Sequence, residues 1–291
     1  MRVTGNRLLD MSAAATAANQ ARVATASQEV SSGKRVAKPS DDPSAWMAAQ
    51  RANAHKTLSH AAGEALKAGR DRLDLADGAL AGIGDAVSQI RTLAVQGASA
   101  SYNAGDRAEL AVQVRSLFEA ALASANTRAA DGEYIFAGTA SLAAPFSATG
   151  TYSGDGTARD LPATEQATTT TTIAGTALTA AGGVDVLPLL DRVATALAAN
   201  DVTGLQAMLG DLQTAVQQVS LTRTRVGGYM NVVDSALTAN DALELHLTTE
   251  VSRAIDADVI ASATELSQAS QALEASRAVT SHIVALIDPN K

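Results

Sequence analysis

The stretch AGEALKAGRDRLDLADGALAGIGDAVSQIRTLA, residues 62–94, decides the fold. Leu66, Leu73, Leu80, Val87 and Ala94 recur in it at every seventh position, and Ala62, Gly69, Ala76, Ile83 and Ile90 fill the companion positions. Charged residues such as Arg70, Asp71, Arg72 and Asp77 surround this seam. Apolar side chains spaced this way return to one face of an α-helix turn after turn, and that face demands a helical partner. The expected element is a long coiled-coil-like helix with Leu66, Leu73, Leu80, Ile83, Val87 and Ile90 in a bundle core.

Upstream, Asp42 can accept hydrogen bonds as an N-cap, and Pro43 suits the first helical position, where no amide hydrogen is needed. Downstream, the interval from Gly97 to Gly105 ends the helix. Asp106 is expected to begin the next one, with Glu109 completing a capping box and Leu110, Val114, Leu117, Ala121 and Ala125 forming its stripe. So short a connection places the two helices antiparallel.

After Arg128 the composition changes. Residues 131–183 are rich in Gly, Thr, Ser and Pro, with Tyr134, Ile135, Phe136, Phe146 and Tyr152 among them. Thr168 to Ile173 is a β-branched run suited to a strand, and Asp155-Gly156 is a turn signal. A small β-rich insertion is expected. Helical spacing returns at Leu187, pauses at Asn200-Asp201 and resumes through Leu205, Leu209, Leu212, Val216 and Val219 to about Asp241. The last segment carries Val259, Leu266, Leu273, Thr280 and Ile287 at seven-residue spacing, with Ala263, Ala269, Ser276 and Ile283 beside them.

The first helix, from about Leu8 to Val30, has a thin stripe of Leu8, Met11, Ala15 and Ala18 before Arg22 and Thr25 dilute it. Helices draw most of their stability from burial of an apolar face. The two ends are therefore expected to stay mobile in the monomer and to order by packing together or against neighbouring subunits. Leu8, Met11, Ala15, Ala18, Val259, Leu266, Leu273, Ile283 and Ile287 are the candidate assembly residues. The expected fold is mainly α: a long coiled-coil-like bundle formed by both chain ends, with a small β-rich central insertion. Residues 1–41 and 252–291 would form a terminal assembly domain, 42–130 and 184–251 a helical bundle, and 131–183 an outer insertion.

Composition excludes several classes of function. The hydrophobic content of 46% belongs to a folded protein, but only 3% of residues are aromatic, so alanine-lined helices must meet at close range. A net charge of −8 disfavours nucleic acid and acidic membranes as partners. Without cysteine there are no disulfides, zinc-thiolate sites or thiol nucleophiles. The opening residues lack the continuous apolar core of a secretory signal, since Asp10 and Asn19 interrupt it. No run reaches the roughly 18 apolar residues that a spanning helix needs, so a soluble protein without membrane insertion is expected.

Candidate chemistry is sparse. Asp41-Asp42 beside Pro43 reads as a pair of caps rather than an acid and a base. His55 and His60 are five positions apart on one helix, which turns them off a common face, while His246 and His282 are remote, so no metal site is expected. Gly82 and Gly84 fall inside a heptad run rather than after a strand, which favours close helix packing over nucleotide binding. Trp46, the only tryptophan, is either an interface anchor or a partly buried residue near a helix start. No cofactor and no enzymatic activity are expected.

The segment from Ser31 through Ser32, Gly33, Lys34, Arg35, Val36, Ala37, Lys38, Pro39, Ser40, Asp41 and Asp42 to Pro43 resembles the joint between the terminal helix and the first long helix of the bacterial flagellin family. Asp131 to Gly138, Pro145-Phe146 and Arg225 to Asn231 extend the resemblance over nearly the whole chain. The Pro-Ser-Asp-Asp-Pro form of residues 39–43 and the Tyr-Ile-Phe-Ala-Gly segment are more like the family's members at the junction of hook and filament than like filament flagellin.

The resemblance implies a non-enzymatic structural subunit, secreted through the flagellar type III apparatus and placed between hook and filament. Its implied partners are neighbouring copies of itself, another hook-associated protein on the hook side, flagellin on the filament side and a cytoplasmic export chaperone. The basic joint residues Lys34 and Arg35 read either as an ordinary exposed connection or as a contact to a partner's acidic surface, and the resemblance raises the second reading. A short filament flagellin is the alternative within the family, and a coiled-coil scaffold or signalling module is the alternative outside it.

Overall fold

The computed structural model describes the backbone of residues 2–164 and 167–287, and side chains from Arg7 to Leu161 and from Thr168 to Ala285. Along the chain run α1 (Arg2–Ser32), α2 (Pro43–Gly97), α3 (Ala104–Ala125), β1 (Asp160–Thr164), β2 (Ala167–Thr170), a short 3-10 turn (Gly175–Leu178), α4 (Val186–Ala198), α5 (Val202–Ile255) and α6 (Val259–Ile287). The chain divides into two compact units, Met1–Leu58 with Leu243–Lys291, and Ser59–Ala242.

The second unit holds the main core. Leu66, Leu73, Leu80, Ile83, Val87 and Ile90 are all at most 1% exposed, as the heptad reading of α2 predicts. Val114, Phe118 and Ala121 of α3, Leu189, Leu190 and Val193 of α4, and Leu212, Val219, Val226 and Val233 of α5 close around them. Helix α5 runs antiparallel to α2, as fixed contacts show: Arg70 Nε meets Asp234 Oδ1 at 2.8 Å, and Asp77 meets Arg223 at 3.0 Å. Small residues set the spacing. A Cβ at Gly82 would stand 3.1 Å from Ser124 Oγ of α3, and one at Gly84 would stand 3.4 Å from Val219 of α5. These two glycines thus serve packing.

Two helix boundaries differ from the sequence expectation. The N-cap of α3 is Asn103, not Asp106: its carboxamide accepts the Asp106 amide at 3.0 Å, and the Asp106 carboxylate accepts the Asn103 amide at 2.9 Å. The capping box therefore lies one turn earlier, because Asn103 holds the extended backbone that a cap requires. The helix expected to end near Asp241 continues to Ile255. Neither Gly nor Pro interrupts it after Gly228, and Leu247 and Ile255 give it further buried positions.

Arg107, 6% exposed, closes the turns beyond α2 and α4. Its guanidinium donates to Gly97 O at 2.7 Å, Ser99 O at 2.9 Å and Asn200 Oδ1 at 2.7 Å. Asn200 itself adopts a left-handed backbone, φ 56°, where α4 ends.

Between α3 and α4 the described strand is confined to the antiparallel pair β1 and β2, in register Asp160 with Thr170 and Leu161 with Thr169. The rest is turns and single bridges, Arg128 with Tyr134 and Phe146 with Tyr152. The β-branched run stays in the strand only to Thr170; Thr171, Thr172 and Ile173 are buried. Tyr152 organises this segment. Its hydroxyl donates to Phe136 O at 3.1 Å and accepts the Gly156 amide at 3.3 Å, and its ring lies 5.2 Å from that of Phe146. Burial raises the phenol's pKa, so it remains a donor. Ile135, Phe136, Phe146 and Leu178 enter the same core as the helices. On the surface, Glu133 bridges Arg72 of α2 at 2.5 Å and Arg159 at 2.8 Å.

Candidate assembly interface

The first unit is built from α1, α6, the joint between α1 and α2, the start of α2 and the end of α5. The joint begins where Gly33, at φ 67°, lets the chain leave α1 after its amide has bonded Glu29 O at 2.8 Å. Lys34 then bridges Asp256, and the Arg35 amide donates to Ile255 O at 2.8 Å, while the Ala257 amide donates to Gly33 O at 2.9 Å. This short backbone pairing ties the joint to the turn between α5 and α6.

The two adjacent carboxylates of the joint divide the work. Asp41 Oδ2 accepts the amides of Ala37 and Lys38 at 3.1 and 3.0 Å. Asp42 Oδ1 accepts the Ser44 and Ala45 amides at 3.1 and 3.0 Å and the Ser44 hydroxyl at 2.8 Å. The Ala45 amide above all, then Ser44 and Arg35, holds the Asp42 carboxyl below the usual carboxylate range. Arg35 also donates to Ala254 O at 2.9 Å, and Ser32 Oγ to Gln28 O at 2.7 Å. Lys34, Pro39 and Ser40 are exposed, and Pro43 opens α2. Beneath the joint, Val36, Ala49 and Ile255 form a small core, against which Trp46 packs partly buried.

Helices α1 and α6 pair antiparallel through polar and small side chains. Ser12 Oγ bonds the Thr280 hydroxyl; Asn19 Nδ2 donates to Ser276 Oγ at 2.6 Å and to Ala272 O at 3.3 Å; Arg22 meets Glu265 at 2.6 Å; Ser262 Oγ donates to Glu29 at 2.8 Å. Ala26 and Ala269, 2% and 0% exposed, are the buried apolar centre.

The apolar stripe read from α1 lies beside this seam, not in it. Leu8, Met11, Ala15 and Ala18 are all exposed, Leu8 by 53% and Met11 by 72%. On α6, Leu266, Leu273 and Ile283 are half-buried, and Val259 is exposed. The buried residue at the α6 start is Ser262 rather than Ala263, so one row of the seam is Ser262, Ala269, Ser276 and Ile283. Ile287 ends α6, and its side chain lies outside the described residues. Ser12, Thr16, Asn19 and Ala26 recur at helical spacing along α1, a signal that apolar periodicity alone does not carry because three of the four are polar.

Leu8, Met11 and Ala15 of α1 and Ala275, Val279 and Ile283 of α6 line an open groove of about 370 Å³, with Ser12 and Ser276 on its floor. Val279 is 55% exposed. Such a face can bind another apolar surface, and it carries no reactive set of groups. His55, His60, His246 and His282 are all exposed. Among the described residues no three His, Cys, Asp or Glu side chains gather as a metal site, and no helix is long and apolar enough to cross a membrane.

Residues 8–141 match the bacterial flagellin N-terminal helical region. Flagellar hook-associated protein 3 of Escherichia coli (strain K12) is 32% identical over 126 residues, covering 41% of this chain and 38% of that protein. Flagellar hook-associated protein 3 of Salmonella typhimurium is 28% identical over 155 residues, covering 53% and 49%. The chain thus spans less than half the length of the curated relatives it matches. Among solved structures, flagellar hook associated protein-3 from Legionella pneumophila superposes with a TM-score of 0.61 at 14% identity, over 70% of this chain and 98% of that one. FlgL from Bacillus cereus gives 0.58 at 21% identity, over 70% and 99%. These likenesses are of fold.

Proposed function

We propose that this chain, which carries the flagellin N-terminal helical region and is similar to flagellar hook-associated protein 3, is a structural subunit of the bacterial flagellum that joins hook to filament. It works by packing, without turnover. The observation that carries the mechanism is the divided surface of α1: a polar seam toward α6, and the uncovered stripe of Leu8, Met11 and Ala15 facing outward. A helix pair that spends its hydrogen bonds internally and its apolar groups externally gains its main hydrophobic stabilisation only when a neighbour covers it.

In this reading residues 1–41 and 252–291 are the assembly domain, 42–130 and 184–251 the supporting bundle, and 131–183 an outer insertion. The neighbours are copies of the chain, another hook-associated protein on the hook side and flagellin on the filament side. Before export through the type III apparatus a cytoplasmic chaperone holds the carboxyl helix, and burial of the apolar seams in the assembly offsets the entropy that the ends lose on ordering.

The test is electron microscopy of cells lacking the chain. Loss of a junction leaves hooks in place while flagellin is secreted without polymerising on them. Complete hook–filament connections with shortened filaments would instead identify a short filament flagellin and overturn the junction reading.

A further inference from the structure

Met11 is the most accessible methionine among those with described side chains: it is 72% exposed, against 58% for Met47, while Met208 and Met230 are partly buried against the main core. It also lines the groove between α1 and α6, with Leu8, Ala15 and Val279 around it. We propose that Met11 is a redox-sensitive modification site, at which oxidation of the thioether by a peroxide blocks docking of the terminal helix pair. The proposal rests on the junction reading, since it needs the groove to be covered in the assembly.

The chemistry balances without a cofactor. The Met11 sulfur attacks one peroxide oxygen, an S–O bond forms as the O–O bond breaks, and the departing hydroxide takes the proton from the oxygen now on sulfur to leave as water; sulfur loses two electrons and the peroxide gains them. The product replaces a flexible apolar group by a strongly polar S=O that must be hydrogen-bonded if buried. Among the described residues the groove has no spare donor near its floor. Ser12 Oγ is engaged with the Thr280 hydroxyl, and Ser276 Oγ donates to Ala272 O while accepting from Asn19. A sulfoxide at Met11 therefore keeps its water and resists burial, whereas an unoxidised Met11 already covered by a neighbour is shielded from peroxide.

The test uses the full-length chain, purified and treated with graded hydrogen peroxide, then mixed with hooks isolated from cells lacking it. Bound chain is counted by pelleting, and Met11 sulfoxide by peptide mass spectrometry. Oxidation of Met11 ahead of Met208 and Met230 is expected to lower binding about tenfold or more. Met11→Leu should keep its own untreated level of binding after peroxide, Met47→Leu should not protect, and Met11→Gln should bind as weakly as the oxidised chain. Normal binding by the oxidised chain or by Met11→Gln overturns the proposal, as does equal peroxide sensitivity of Met11→Leu. Failure of the untreated chain to bind hooks is a different result: it removes the junction reading itself.

Discussion

Asn19 Nδ2 donates to Ser276 Oγ at 2.6 Å, joining positions 257 residues apart in the chain. This contact sits midway along a seam whose other links are Ser12 with Thr280, Arg22 with Glu265 and Glu29 with Ser262. Such bonds fix register, but each nets only about 0.5–1.5 kcal/mol, because water satisfies the same groups in the open helices.

Asn19→Ala should therefore weaken the α1–α6 pair by about 1 kcal/mol. Hydrogen exchange on the isolated chain should show the loss in these two helices and none in α2 between Leu66 and Ile90. The same experiment on the unaltered chain should find α1 and α6 far less protected than that segment. Equal protection throughout would end the account of ordering on assembly.

Leu73 and Leu80 are fully buried, and replacing either by Ala should cost about 2–5 kcal/mol in denaturant unfolding by leaving a cavity. Leu273, half-buried on α6, belongs to the other regime. Leu273→Ala should lower incorporation onto hooks while leaving the melting temperature nearly unchanged. A melting loss matching that of Leu80→Ala contradicts the division.

Glu133 is held at a pKa of about 2, below its ordinary 4.5, chiefly by its hydrogen bond to Arg159 and next by that to Arg72. A depressed carboxyl stabilises the fold fully above its ordinary value, and that contribution fades as pH falls through about 2. Glu133→Gln should therefore be less stable than the parent in thermal melts near neutrality. The gap between them should narrow below pH 4.5 and close toward 2. A gap independent of pH would show that the ion pairs contribute nothing.

Gly69 of α2 forms the notch that receives Thr171: a Cβ there would fall 2.7 Å from Thr171 Cγ2. Thr171 is buried, so it cannot simply swing into water. Gly69→Ala should cost about 1–3 kcal/mol by overpacking, and the combined change Gly69→Ala with Thr171→Ser should recover part of it in equilibrium unfolding.

The regular parts of the fold were legible because their burial is apolar and periodic. The α2 heptads named the core, and Asp42 and Pro43 marked its start correctly. Where polar groups decide, the reading slipped. Asn103 outcompeted Asp106 as a cap through backbone geometry that spacing alone does not reveal, and the seam of α1 runs through Ser12 and Asn19 instead of Leu8 and Met11. For the candidate interface, the sequence supplied the apolar residues but not their direction. Their outward placement follows from hydrogen-bonding partners more than 250 residues away, which no local window contains.

Arg107 gives the turns after α2 and α4 a different temperament from the ion pairs elsewhere on the surface. Its three acceptors, Gly97 O, Ser99 O and Asn200 Oδ1, are all neutral. No acceptor of Arg107 is a carboxylate, so dissolved ions have no opposite charge paired with it to screen apart. The bonds from Arg107 should hold through brine or vinegar alike.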